Sequence, residues 1–260
     1  MDALFIFFDA GAVVLLVWWL VKLFRPTHHA YGHARWRATL LVALAASLAG
    51  ILYVLEAWAS FDVVDAPYFI VGYASLGLLW ITGAAKLQAA TADIRFQQDV
   101  RDRNNVAAAV AIGGLLLGDA AAYAGGNVGD GPGLHVVLFA ALLSTGAVTA
   151  AVWLVAACSD GEERITIDHD VGAALRLGAL ALATGIVAGR AAAGDWISAE
   201  ATVRDFAGVA WPIVPAVVLA IANERWAAPS YAEPSPLRSA SFAAVLLAVA
   251  IAYVSSLGPA

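Results

Sequence analysis

The sequence predicts an all-α, polytopic membrane protein of about eight transmembrane helices built from repeated helical hairpins. Three observations predict this class. Apolar residues make up 62% of the chain and charged residues only 13%, about half of the charged share of soluble domains. Eight windows are long and apolar enough to cross a bilayer. Short segments also recur along the chain. Water cannot solvate so much apolar surface, which excludes a soluble enzyme and a disordered chain.

The predicted spans follow from the length of a helix that crosses a bilayer core, about 20 residues. The seventh contains Pro212 and Pro215, and a proline inside a helix removes a hydrogen bond and bends the helix. The eight spans cover residues 4–23, 39–57, 68–87, 106–125, 134–157, 171–189, 206–223 and 239–256.

Lysine and arginine are distributed unevenly among the predicted loops. If the N-terminus lies outside the cytoplasm, eleven of these residues fall on the inner side, and only Arg190 and Arg204 fall on the outer side. Positive charge favours the cytoplasmic side, so we expect a bacterial inner-membrane protein with both termini outside the cytoplasm. A cleaved signal peptide is disfavoured because the chain begins with acidic Met1-Asp2-Ala3 rather than with a basic segment.

One stretch of the sequence recurs after 65 residues. Residues 105–118 and 170–183 each open with a polar residue and continue as a run of small residues, with six of 14 positions identical. A weaker echo begins near Arg37. This pattern predicts a unit over 93–160 with helices 4 and 5 and a second over 161–225 with helices 6 and 7. Residues 1–92 would hold helices 1–3 with a weak copy, and residues 226–260 the eighth helix.

The recurring segments resemble a known family. Residues 99–109 (DVRDRNNVAAA) and 113–118 (GGLLLG) resemble the bacterial inner-membrane family called domain of unknown function 350, or YjfL-like. Residues 167–174 (IDHDVGAA) look like the family's second turn, with Asp170 in place of asparagine. The resemblance is best over residues 94–200. It implies an integral membrane protein, no catalytic residues, and an ATP-grasp ligase or membrane-stress protein as cytoplasmic partner.

Ionisable groups within the predicted spans are the main candidates for function, because each costs at least a few kcal/mol in a bilayer if unpaired. We expect Asp119, Tyr123, Arg176 and Arg190 to line an ion or solute pathway. The alternative for Asp119 is a packed acid that bonds to Tyr123 or a basic neighbour. Arg176 would either extend to the inner headgroups or pair with a buried acid. Asp119 or Asp195 could be the partner of Arg190.

Four polar residues stand at the predicted inner starts of the two recurring helices: Asn104, Asn105, His169 and Asp170. Asparagine and aspartate are good helix N-caps, which explains their positions without any function. Alternatively, the two helix N-termini form the inner mouth of a pathway, with Arg176 beside Asn105 and Asp170, and attract an anionic ligand or lipid headgroup.

Glycines are concentrated on the recurring helices. Gly113, Gly114, Gly118 and Gly178 would allow helix backbones to approach closely, and Gly114 and Gly118 have G-x-x-x-G spacing. This spacing predicts either packing within one subunit or an oligomer interface.

Several kinds of site are not predicted. The chain contains no nucleotide-binding, zinc-protease or hydrolase motif. Its single cysteine, Cys158, cannot form an internal disulfide, and its net charge of −6 offers no surface for nucleic acid. We therefore expect no enzyme activity, cofactor or metal. The leading hypothesis is an oligomeric channel or transporter for a small ion or polar solute. The alternative is a membrane scaffold that docks the cytoplasmic partners named above.

Overall fold

The computed structural model describes residues 13–14, 17–18, 20–21, 35–64, 67–227 and 235–258. Throughout this part of the chain the regular structure is helical, which confirms the all-α class. Six of its helices are long and apolar enough to cross a membrane, and a bent pair would make a seventh. The protein is therefore a multi-pass membrane protein. The first predicted span, 4–23, lies largely outside the described residues, so the total of eight stays a prediction.

The described helices are named in chain order. Two π-helical segments, Phe96–Asp102 and Asn223–Ala227, accompany them. The helices are α1 (Arg35–Ala57), α2 (Phe61–Val64), α3 (Pro67–Thr91), α4 (Val106–Gly125), α5 (Leu134–Cys158), α6 (Gly161–Thr166), α7 (Val171–Ala192), α8 (Ala199–Ala210), α9 (Ile213–Ala222) and α10 (Pro236–Ser256).

The seventh predicted span is a broken helix. α8 and the segment Ile213–Ala227 meet at an angle of 45°, and Trp211 and Pro212 lie at the break. Pro212 has no backbone N–H to donate to the preceding turn, which explains the predicted bend. α8 begins earlier than the prediction, because the Ser198 hydroxyl accepts a hydrogen bond from Ala201 N and caps the helix.

A glycine seam between α4 and α7 forms the centre of the fold. We define this seam as Gly114, Gly118 and Gly125 of α4 with Gly178, Gly185 and Gly189 of α7. A Cβ on Gly118 would lie 2.5 Å from the carbonyl oxygen of Ala181, and one on Gly114 or Gly125 would overlap the backbone of Gly178 or Gly189. Residue numbers increase together along the seam, so the two helices run parallel.

The seam decides between the two readings of the glycine pattern. Gly114, Gly118 and Gly178 pack within one chain, so they are not available to a second copy. Gly113 faces α1 instead, where its Cβ position lies 3.3 Å from Ala43 Cβ. Around the seam, α1 and α3 pack on α4, α8 and α10 pack on α7, and α5 contacts both central helices.

α4 and α7 begin with the same local conformation. Asn104 and His169 both have left-handed backbones, with φ of 53° and 56°. Each precedes an N-cap: the Asn105 side chain accepts from Ala108 N, and the Asp170 side chain accepts from Gly172 N. We call the end of the molecule where α4 and α7 begin the capped end.

The loops that follow α4 and α7 also correspond. Gly129 and Gly194 both have positive φ, at 101° and 128°. Asp195 Oδ1 accepts from the backbone N–H of Asp130, 65 residues earlier, at 2.8 Å, and Trp196 N donates to Asp130 O at 2.8 Å. The two loops are therefore bonded to each other directly.

Substitution of Gly185 by alanine is expected to destabilise the protein, because the new Cβ would overlap the carbonyl group of Gly118. Excess volume in a packed core costs about 1–3 kcal/mol. The measurement is thermal unfolding in detergent. Gly50→Ala is the matched control, since Gly50 is exposed on α1 and its Cβ position has no neighbour within 4 Å. Equal melting temperatures for the two variants would contradict the seam.

Candidate functional site

A buried polar cluster joins three helices beside the glycine seam. Asp119 of α4 and Gln88 of α3 are both 0% exposed. Gln88 Nε2 donates to Asp119 Oδ1 at 2.7 Å and to Thr149 Oγ1 of α5 at 3.2 Å. Thr149 donates in turn to Thr145 O within its own helix at 2.8 Å. We call Gln88, Asp119 and Thr149 the carboxyl cluster.

The carboxyl cluster contains two acceptors without donors. Asp119 Oδ2 and Gln88 Oε1 are buried and have no hydrogen-bond partner. No salt bridge of the described residues includes Asp119. A buried carboxylate without a cation is costly, and the cost is lowered when a proton or a cation binds. Asp119 Oδ2 can therefore accept a proton, and either oxygen can coordinate a small cation.

A groove on the surface adjoins the carboxyl cluster at Thr149. It lies between α3 and α5 and has a volume of about 680 Å³. Trp80 and Trp153 line its walls, and Thr149 belongs both to the groove and to the cluster. The groove is wide because the facing helices carry glycine here: the Cβ positions of Gly83 and Gly146 have no neighbour within 4 Å.

Tyr123 lies one helical turn from Asp119 but does not bond to it. Its hydroxyl donates to Tyr73 O of α3 at 2.8 Å, and its ring covers Gly77, where a Cβ would lie 2.6 Å from Cε1. Asn127 Nδ2 donates to Tyr123 O at 2.8 Å. The alternative of a hydrogen bond between Asp119 and Tyr123 is therefore wrong, because the tyrosine hydroxyl is used to join α3 to α4.

Arg176 takes part in a separate ion pair on the other side of α7. Its Nε and Nη2 donate to the two carboxylate oxygens of Glu224 at 2.5 and 2.7 Å, and its Nη1 donates to Ser239 Oγ of α10 at 2.6 Å. The Arg176 and Glu224 side chains are only 4% and 9% exposed. Of the two alternatives, the structure favours pairing with a buried acid over extension to the headgroups.

The N-caps at the capped end are held by further buried contacts. Arg164 Nη2 forms an ion pair with Asp170 Oδ2 at 2.5 Å, and both side chains are buried. Asn105 Nδ2 donates to Ile165 O at 2.6 Å, which joins α4 to α6. The carboxylate of Asp170 is thus neutralised within the chain, and Arg164 rather than Arg176 lies beside it. The predicted inner mouth is closed by these contacts.

The four predicted pathway residues do not come together. Asp119 and Tyr123 lie on α4 against α3, and Arg176 bonds to the Asn223–Ala227 segment and to α10. Arg190, near the end of α7, has a 3.4 Å hydrogen bond from Nη2 to Gly258 O. Of the predicted set, Asp119, which is bonded to Gln88, is therefore the residue that can carry chemistry.

Sequence reasoning missed Gln88, Thr149 and Glu224. Gln88 is 31 residues from Asp119, and Glu224 is 48 residues from Arg176, so no local spacing connects the partners. One signal was available: Gln88 and Glu224 are polar residues near the ends of apolar runs that approach the same end of the molecule. Matching polar residues by depth could have found Glu224 for Arg176. It would not have found Gln88, which lies three residues before the end of α3, whereas Asp119 lies 13 residues after the start of α4.

Comparisons of the chain with family models, with curated proteins and with solved structures returned no match. Among the described residues, no group of three or more His, Cys, Asp or Glu side chains could hold a metal ion.

Removal of one partner of the Arg176–Glu224 pair is expected to destabilise the protein strongly. An uncompensated buried charge costs about 3–5 kcal/mol, so Arg176→Met and Glu224→Gln should each lower the melting temperature in detergent. The double variant should recover part of the loss. Arg204→Met is the control, because the Arg204–Asp205 pair is 74% and 65% exposed and such pairs contribute about 0–1 kcal/mol. Equal effects of Arg204→Met and Arg176→Met would contradict this assignment.

Glu162 should make stability depend on pH. Partial burial, together with the nearby charges of Asp93, Glu163 and Asp160, raises the pKa of its carboxyl above 4.5. The folded state therefore holds this proton more tightly than the unfolded state. The resulting stabilisation is complete below pH 4.5 and is lost as the pH rises through the folded-state pKa. Glu162→Gln should melt higher than the wild type at neutral pH. The difference should shrink on acidification, and a pH-independent difference would refute the assignment.

Proposed function

We propose that the protein is a channel or transporter that moves a small cation, most simply a proton, across the membrane. Asp119 is the group that binds the cation in transit. The observation that carries this proposal is a fully buried carboxyl with one unpartnered oxygen and no basic side chain bonded to it. Ionisable groups of this kind inside a membrane protein usually serve ion or proton movement.

The geometry of the carboxyl cluster supports reversible binding. Asp119 Oδ1 is held by Gln88, while Oδ2 is left for the cation. Gln88 orients the carboxyl group, and its own Oε1 is a second buried acceptor without a donor. The Thr149 hydroxyl accepts from Gln88 Nε2, so it helps to hold the amide that orients the carboxyl group.

The groove between α3 and α5 supplies access in this proposal. A route along the α4–α7 axis is closed by the glycine seam, where backbone meets backbone. Thr149 is the residue common to the groove and the cluster. A cation would therefore approach Asp119 sideways, from the face of the molecule that α3 and α5 share.

We also infer that the chain contains two copies of one helical hairpin, as the sequence predicts. The shared left-handed residues, N-caps and loop glycines support this inference. The capped end would then be cytoplasmic, in keeping with the predicted excess of lysine and arginine on that side. By the 65-residue offset that relates Asp130 to Asp195, the second copy has Thr184 where the first has Asp119. Only the first copy would therefore carry the carboxyl group.

Replacement of Asp119 by asparagine should abolish cation flux while it preserves the fold. The amide would keep an oxygen to accept from Gln88 Nε2, but it has no charge. The measurement is H⁺, Na⁺ and K⁺ flux through purified protein in liposomes, with melting temperature as the check on folding. Glu56→Gln is the matched control, an acid-to-amide change at an exposed position of α1. Wild-type flux in a folded Asp119→Asn variant would refute the proposal.

Filling the groove should reduce flux without any change in charge. Gly146→Leu places a side chain where the Cβ position has no neighbour within 4 Å, so we expect normal stability and a loss of access to Thr149. Gly50→Leu, on an exposed part of α1, should leave the flux unchanged. Full flux in Gly146→Leu would exclude the lateral route. It would not bear on the role of Asp119, which the Asp119→Asn variant tests.

A further inference from the structure

A second pocket, of about 680 Å³, lies at the capped end between α1 and α3 and is not part of the proposed cation route. Its volume falls within the range of about 300–1,000 Å³ that is usual for ligand sites. Its floor is formed by Ile112 and Leu116 of α4, both buried, so the pocket reaches from the outside of the helix bundle to the central helices.

The lining of this pocket is divided into an apolar part and a cationic part. Leu40 and Leu44 of α1 and Ala89 of α3 continue the apolar surface that begins at Ile112 and Leu116. The cationic part is formed by three side chains from the end of α3 and the segment after it: Lys86, Arg95 and Arg101.

No carboxylate is among the described residues that line the pocket. Two acids of the neighbouring segment are bonded within it: Asp99 accepts from Arg103 Nη1 at 3.0 Å and from Arg95 N at 2.7 Å, and Asp102 accepts from Gln97 Nε2 at 3.2 Å. The charged residues of the described lining are therefore all cationic.

We propose that this pocket binds one molecule of an anionic glycerophospholipid from the surrounding leaflet. The phosphate lies at Lys86, Arg95 and Arg101, and an acyl chain follows the apolar surface toward Leu116. Basic pockets between transmembrane helices at the membrane surface bind anionic headgroups in this way. A soluble anion would use the cations but would leave the apolar surface uncovered, and a lipid without net charge would not neutralise the cationic part.

The test is lipid retention by the purified full-length protein, measured by native mass spectrometry in detergent with added phosphatidylglycerol or phosphatidylcholine. We expect phosphatidylglycerol to be retained in preference to phosphatidylcholine. Arg95→Gln with Arg101→Gln should weaken phosphatidylglycerol binding by about 30-fold, which corresponds to about 1 kcal/mol for each of the two cations. Arg204→Gln removes an exposed cation on α8 and should have no effect. If the double variant does not fold, Lys86→Gln at an exposed position replaces it.

A second variant distinguishes lipid binding in the pocket from a general attraction of lipid to positive charge. Ala90 lines the pocket and is exposed, so Ala90→Trp fills the space and keeps every cation. Binding should fall in this variant as it does in the double variant, with the melting temperature unchanged. The proposal is overturned if phosphatidylcholine is retained equally well, if the arginine variant binds like the wild type, or if Ala90→Trp has no effect.

Discussion

The backbone contact between α4 and α7 is the constraint on which the rest of the structure depends. In a bilayer, helices gain little from burying apolar side chains against one another, so close packing has to hold them together. Glycines on both helices permit that packing, and the parallel direction places both N-caps at the same end. One face of α4 is occupied by α7 as a result. Its remaining faces meet α1, α3 and α5, which brings Gln88 and Thr149 to Asp119.

Buried polar groups in this protein mostly serve to join helices. The Tyr123 hydroxyl connects α4 to α3, Ser144 Oγ connects α5 to Ala122 O of α4 at 3.0 Å, and Arg176 connects α7 to α10 and the Asn223–Ala227 segment. Each is satisfied by an identified partner, as the absence of water in a membrane interior requires. Some other buried side-chain atoms of the described residues have no hydrogen-bond partner, and Asp119 Oδ2 is the only carboxylate oxygen among them.

The helices that can be predicted from the sequence are those whose signal is local. α4 has the predicted bounds, 106–125, and α5 ends one residue after the predicted 134–157, because apolar length alone defines a span. Short charged segments such as Phe96–Asp102 and Gly161–Thr166 were not predicted as helical, since they do not cross the membrane and carry no apolar run. The partners of Asp119 and Arg176 were not predicted either. They depend on how helices far apart in sequence dock, which no spacing of residues along one helix encodes.

The position of Asp119 also has an evolutionary meaning. Leucine or asparagine at this site would satisfy the interior at a lower free-energy cost, and either could still pack between α3 and α5. Substitutions of this kind are open to a chain selected for stability alone, since natural proteins are rarely at their stability optimum. The glycines of the seam are under the opposite pressure, because almost any change there disturbs the fold. Neighbouring residues of one helix thus differ in what limits their substitution, which is close backbone contact at the seam and hydrogen bonding at Asp119.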